Sequence, residues 1–294
     1  MGYKLAGYDM LGCNEIDPEM IGAYRKNHNP KYSFLAPIQE FKNSKTFPDD
    51  LMNLDILDGS PPCSSFSMSG SREKKWGVKK KFREGQAEQI LDDLFFDFLD
   101  LAERLQPKVI VAENVKGMLA GNAKSYVKKI QRRFKEIGYE VQLFLLNGAT
   151  MGVPQKRERV FFIANRMGFP KLKMKFEESQ ILFREVSVNF KGKPLTPQYL
   201  KYWREAKEGE PVGKFQTKKK QEWDRVARTV VASSANFHPK QERELCDDEL
   251  KQIGSYPMDY QFPKAGACYL IGMSVPPVMT AQIAHQIYLQ WFKK

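Results

Sequence analysis

Short apolar runs alternate with helical patterns over the first two-thirds of the chain, and no other feature limits the fold as much. The runs are Asp9–Cys13, Asp55–Leu57, Lys108–Ala112, Glu140–Leu146 and Val160–Ala164, each closed by polar or turn residues. Between them, Gln89–Leu105 sets Ile90, Leu94, Phe98, Leu101 and Leu105 on one face at spacings of three and four. Ser125–Ile137 repeats the pattern. The alternation predicts an α/β domain on a parallel sheet covered on both faces, with ligands beyond the carboxyl ends of its strands.

At 294 residues there is room for one large domain and a smaller one. From Pro170 to Phe262 the periodicity fades, and Gly192, Gly209 and Gly213 punctuate the chain. A helical pattern returns at Tyr269–Lys294: Pro276-Pro277 opens it, and Val278, Ala281, Ala284, Ile287, Tyr288 and Trp291 form its apolar face. The expected division is 1–169, 170–262 and 263–294.

No run approaches the length of a membrane span, and the N-terminus has no secretory pattern. Cys13, Cys63, Cys246 and Cys268 are far apart without a Cys-x-x-Cys pair. That argues against a metal site or disulfide framework and fits a reducing cytoplasm. The net charge of +12 favours a polyanion, nucleic acid before membrane. The basic residues cluster: Arg72, Lys74, Lys75, Lys79, Lys80, Lys81 and Arg83 interleave with Trp76 and Phe82, and Lys214, Lys218, Lys219, Lys220 and Arg225 form a second group.

Four segments carry candidate chemistry. In Asp58-Gly59-Ser60-Pro61-Pro62-Cys63-Ser64, two prolines stiffen the approach to a cysteine followed by small hydroxyl residues. A lone cysteine is usually structural, but this setting suits an exposed thiolate nucleophile. Glu113-Asn114-Val115 follows a strand. A carboxyl group there is either solvated or, if partly desolvated, able to share a proton with a heterocyclic base. In Gln155-Lys156-Arg157-Glu158-Arg159, arginine suits a carbonyl oxygen or a phosphate, although a charged turn is the common meaning of such a run. In Asn14-Glu15-Ile16-Asp17-Pro18, Glu15 suits ribose hydroxyls, Ile16 an adenine face, and Asp17 before Pro18 a helix cap.

In this order, and with Gly272-Met273-Ser274-Val275 near the end, the segments resemble the signature set of the S-adenosylmethionine-dependent DNA (cytosine-5) methyltransferases over almost the whole chain. The resemblance implies a Rossmann-like methyltransferase domain, a small irregular target-recognition domain and a C-terminal helix packing back on the first. It implies double-stranded DNA in the cleft and a cytosine flipped into the pocket. Catalytic roles fall to Cys63, adding to carbon 6, Glu113 at ring nitrogen 3, Arg159 at the carbon 2 oxygen, and Arg157 nearer to Cys63 or the phosphates. Cofactor contacts fall to Glu15, Ile16, Ile38, Pro61 and Ser274. Met273 departs from the family, which has asparagine there.

The family's glycine-rich loop and first strand have no counterpart here, and Met1-Gly2-Tyr3 resembles the end of the helix that follows them. The expectation is two unpaired strand edges, weak S-adenosylmethionine binding and marginal folding, with a separate N-terminal polypeptide as one remedy. A cognate restriction endonuclease and a cytoplasmic, nucleoid-associated setting are family expectations. A transfer RNA methyltransferase shares the motifs, and a non-catalytic DNA-binding protein is the reading from another class.

Overall fold

The computed structural model describes residues 1–62, 79–80, 89–90, 93–121, 123–187, 191–213, 218–232 and 236–293, with the backbone alone at 79–80 and 89–90. The elements, in chain order, are α1 (Gly2–Leu5), β1 (Gly12–Glu15), α2 (Pro18–His28), β2 (Tyr32–Leu35), α3 (Ile38–Phe41), β3 (Ile56–Gly59), β4 (Lys79–Lys80) and β5 (Gln89–Ile90). Then come α4 (Leu94–Leu105), β6 (Val109–Val115), α5 (Ala123–Glu136), β7 (Glu140–Asn147) and β8 (Glu158–Asn165). The remainder holds α6 (Phe183–Val186), α7 (Pro197–Glu205), α8 (Asp247–Ile253), α9 (Gly266–Met273) and α10 (Pro277–Ile287).

The main sheet has the order β3-β6-β8-β7. Only β3 and β6 are parallel; β8 runs antiparallel to both β6 and β7. The expected all-parallel sheet is therefore corrected to a mixed one. The connection 148–157 between β7 and β8 is too short to carry a crossover, which needs about a dozen residues or more, so β8 returns antiparallel. β1 and β2 form a separate parallel pair. Among the described residues, β1 and β3 each keep one edge without a ladder partner.

Alternation along β6 and β8 builds two cores. Ile110, Ala112, Val160, Phe162 and Ala164 face α4 and α5, meeting Phe95, Leu99, Ile130 and Phe134. Val109, Val111, Phe161 and Ile163 face the other way, against Met279, Ile283 and Ile287 of α10 and Trp291 beyond it. Burial on both faces explains why these strands read as continuous apolar runs. Gly59 lets Phe98 of α4 approach: a Cβ there would stand 2.4 Å from the ring.

The helix expected over Gln89–Leu105 begins only at Leu94, because Gln89–Ile90 pairs with Lys79–Lys80 in an antiparallel ribbon. α2 starts as expected: Asp17 accepts from Glu19 N (2.8 Å) and Met20 N (3.3 Å), with Pro18 in the first turn.

Between 170 and 262 regular structure is sparse, and the chain is held by apolar clusters and a buried ion pair. Phe183, Leu250, Ile253 and Tyr256 centre one cluster; Trp203, Val212 and Phe237 centre another. Arg243 donates to both carboxylate oxygens of Glu249 at 2.6 and 2.9 Å. Glu249 in turn accepts from Cys246 N at the start of α8 and from the Ser187 hydroxyl.

The segment Gly266–Phe292 is long and apolar enough to cross a membrane by composition, which corrects the expectation that no run approaches that length. It breaks after Ser274, where Pro276 and Pro277 end one helix and open the next. Ile271 packs in the second unit and α10 on the sheet, as core helices do.

Candidate active site

β6 runs on to Val115, so Glu113 lies inside the strand rather than at its end. Its neighbour β8 pairs Val115 with Arg159 and Glu113 with Phe161, which puts Glu113 and Arg159 diagonally on one face. Arg159 Nε stands 2.9 Å from Glu113 Oε1, and the two side chains are only 15% and 12% exposed. Burial raises the Glu113 carboxyl above the ordinary glutamate range. Arg159, then Arg157 and the Ser60 hydroxyl, pull the other way without cancelling it. A carboxyl group so placed has a raised affinity for a proton while it faces a fixed cation.

Asn114 ties this strand to the segment that leads to Cys63. Its side-chain amide donates to Pro61 O at 3.0 Å, and its oxygen accepts from Val115 N at 2.9 Å. Asn114 and Pro61 are both buried. Ser60 and Pro61, three and two residues before Cys63, are thus held beside Glu113. Cys63 lies outside the described residues, as do Arg72, Lys74, Lys75, Trp76, Lys81, Phe82 and Arg83 of the basic stretch.

Arg157 is not placed for a phosphate, which corrects that expectation. It is 1% exposed and donates to Val230 O at 3.1 Å and Gly272 O at 2.8 Å. Burial pushes its guanidinium down to about 9. The backbones it bridges pass very close, since a Cβ at Gly272 would sit 2.2 Å from Ala232 N. Arg157 therefore joins the start of β8, the 227–232 strip and the end of α9.

The residues expected at the cofactor are spread over several elements. Glu15, at the carboxyl end of β1, accepts from Ile16 N (2.8 Å) and Asp17 N (3.0 Å) through one oxygen, Oε1. Burial raises the carboxyl, and these two backbone donors oppose the rise. Ile16 is half-buried beside it. Ile38 opens α3 and packs against the cores under α4. The Ser274 hydroxyl lies 2.6 Å from the Tyr256 hydroxyl. Among the described residues, no ladder joins the β1–β2 side to the side bearing Glu113.

Sequence reasoning passed over Asp58 and Tyr3. The Tyr3 hydroxyl donates to Asp58 Oδ1 at 3.0 Å. Surrounding protein pushes the Asp58 carboxyl up to about 6, although its surface keeps access to solvent. It lies on β3, the strand whose outer edge has no ladder partner among the described residues. Its position at the end of a strand was the available signal.

The model of the C-5 cytosine-specific DNA methylases matches residues 1–182 and 172–289. The type II methyltransferase M.FnuDI of Fusobacterium nucleatum is 34% identical over 166 residues, 56% of this chain and 43% of that protein. M1.HphI of Haemophilus parahaemolyticus is 26% identical over 98% of this chain and 82% of its own length. The chain spans about half the length, or less, of several relatives it matches. A prophage-encoded chain of E. coli, described as a DNA modification methyltransferase, has the same fold, with a TM-score of 0.77 over 99% of this chain and 95% of that one at 16% identity. A Spodoptera frugiperda DNMT2 structure follows, with a TM-score of 0.68 over 98% and 95% at 16% identity.

Proposed function

Because the chain belongs to the family of C-5 cytosine-specific DNA methylases, we propose that it transfers a methyl group from S-adenosylmethionine to carbon 5 of a cytosine in duplex DNA. The Glu113–Arg159 pair, buried beside the segment leading to Cys63, is the observation that carries this reading.

The Cys63 thiolate forms a bond to carbon 6 of a cytosine turned out of the duplex. The electron pair moves into the ring, and Glu113 gives its proton to nitrogen 3 as negative charge develops. Arg159 steadies the carbon 2 oxygen. S-adenosylmethionine, when bound, would supply an electrophilic methyl group for carbon 5, its sulfur–methyl bond breaking and the neutral thioether S-adenosylhomocysteine leaving. Carbon 5 then loses its proton to a base, the bond from sulfur to carbon 6 breaks, and nitrogen 3 returns its proton to Glu113. The raised affinity of Glu113 for a proton suits this cycle.

The residues fit the cofactor in part. Glu15 has one carboxylate oxygen engaged by its own backbone and the other for a ribose hydroxyl. Ile16 and Ile38 offer apolar surface near the strand end, and Pro61 adjoins Glu113 through Asn114. The Ser274 hydroxyl is shared with Tyr256 and keeps capacity for one further hydrogen bond. A type II modification role fits the names of the matched relatives, and a cognate endonuclease and a cytoplasmic setting are part of the same proposal.

The test is transfer of radiolabelled methyl to unmethylated genomic DNA, which samples every short site. Label in 5-methylcytosine that disappears with Cys63→Ala is the expected result. Equal labelling by both proteins contradicts the proposal.

A further inference from the structure

A cavity of about 290 Å³ opens where the start of β8 meets the second unit, lined by Lys156, Glu158, Lys219, Arg228, Thr229 and Asn236. The seam is built by backbone contacts: Lys156 N donates to Ala227 O at 2.8 Å, and the Thr229 hydroxyl donates to Lys156 O. Lys219 N donates to the Asn236 side chain at 3.2 Å.

Three cations line the cavity against one carboxylate, and that carboxylate, Glu158, is held by Lys116 at 2.9 Å. Lys156 and Lys219 have no ion-pair partner among the described residues. Arg228 reaches Glu222 through Nη2 at 2.9 Å, but its buried Nε has no hydrogen-bond partner. Donors are in excess, and Glu158 immediately precedes Arg159 on β8.

We infer that this cavity holds one phosphodiester of the DNA backbone, gripped by Lys156 from the methyltransferase unit and by Lys219 and Arg228 from the second unit. The inference rests on the DNA reading above. Lys156, Lys219 and Arg228 are positioning residues: one phosphate held across the seam sets both units on the duplex beside the catalytic strand. Such a contact is blind to sequence and sensitive to salt.

The test measures binding of a labelled mixed-sequence duplex across a salt series. Lys156→Ala with Lys219→Ala is compared with wild type and with a charge-matched control, Lys171→Ala with Lys173→Ala. Neither cavity lysine has an ion pair to lose among the described residues, so folding is spared. The expected result is weaker binding to every sequence, with a slope of log affinity against log salt lower by about one, the value for one lost phosphate. A slope like that of wild type or of the control overturns the inference and leaves the DNA reading intact. So does unchanged duplex binding with lost pyrophosphate binding, which assigns the cavity to a small free anion. Absence of salt-dependent DNA binding by the wild-type chain overturns the DNA reading and the cavity with it.

Discussion

Glu113 and Arg159 face each other across adjacent strands, Oε1 2.9 Å from Nε, in a setting nearly closed to water. Glu113→Gln keeps the shape and removes the proton, so methyl transfer should fall by about 100-fold or more. The pH profile gives the finer reading. Glu113 acts protonated, so the rate falls as pH rises through its raised value. Arg159 holds that value down, so Arg159→Ala should slow the reaction and move the falling limb to higher pH. A limb that stays put in both variants assigns it to another group.

Asn114 anchors Pro61, two residues before Cys63. Asn114→Ala leaves a buried carbonyl without its donor, at a cost of about 1–3 kcal/mol. Thermal melting should drop by several degrees. Turnover should fall further than the loss of folded protein explains, because the nucleophile's segment loses its tether. Loss confined to melting makes Asn114 purely structural.

Asp58 provides a stability signature. Its carboxyl rises from the ordinary 3.8 to about 6, chiefly because surrounding protein displaces water around it even though the side chain keeps access to solvent. The folded state then binds more protons than the unfolded state between these values, so this group's contribution falls as pH rises through that window. Below about 4 it is protonated in both states and contributes no pH dependence. Asp58→Asn still accepts from Tyr3, so denaturation at several pH values should show a melting gain at pH 7 that vanishes near pH 4. A gain equal at both pH values contradicts the assignment.

The second unit depends on Arg243 and Glu249, which are 6% and 0% exposed. Glu249→Ala leaves a buried guanidinium uncompensated, which costs about 3–5 kcal/mol. Replacing both with Met should cost less than Glu249→Ala alone. A double replacement at least as damaging, read by chemical denaturation, would show that the pair does not act through burial of an uncompensated charge.

Strands buried on both faces were legible, because a short continuous apolar run such as Lys108–Ala112, closed by polar residues, suits a strand covered from above and below. β2 was not, since Tyr32–Leu35 is four residues long and largely half-buried. Ile90 fits a helical face with Leu94, and only tertiary pairing takes it into a ribbon. Strand direction left no trace in the apolar pattern; the sign of antiparallel β8 was the short connection before it, which the alternation of strands and helices masked. At the site, Glu113 and Arg159 were visible as motif residues. The burial of Arg157 was not, because its partners Val230 and Gly272 lie 73 and 115 residues away. A charged run carries no sign that one of its members turns inward.

Covalent attack through Cys63 can be trapped with DNA carrying 5-fluorocytosine. Fluorine cannot leave carbon 5 as a proton does, so the final elimination stalls after methyl transfer. A stable protein–DNA adduct should form only with S-adenosylmethionine and map by mass spectrometry to the peptide containing Cys63. Methylation of ordinary cytosine without any such adduct, or an adduct on another residue, would contradict attack through Cys63.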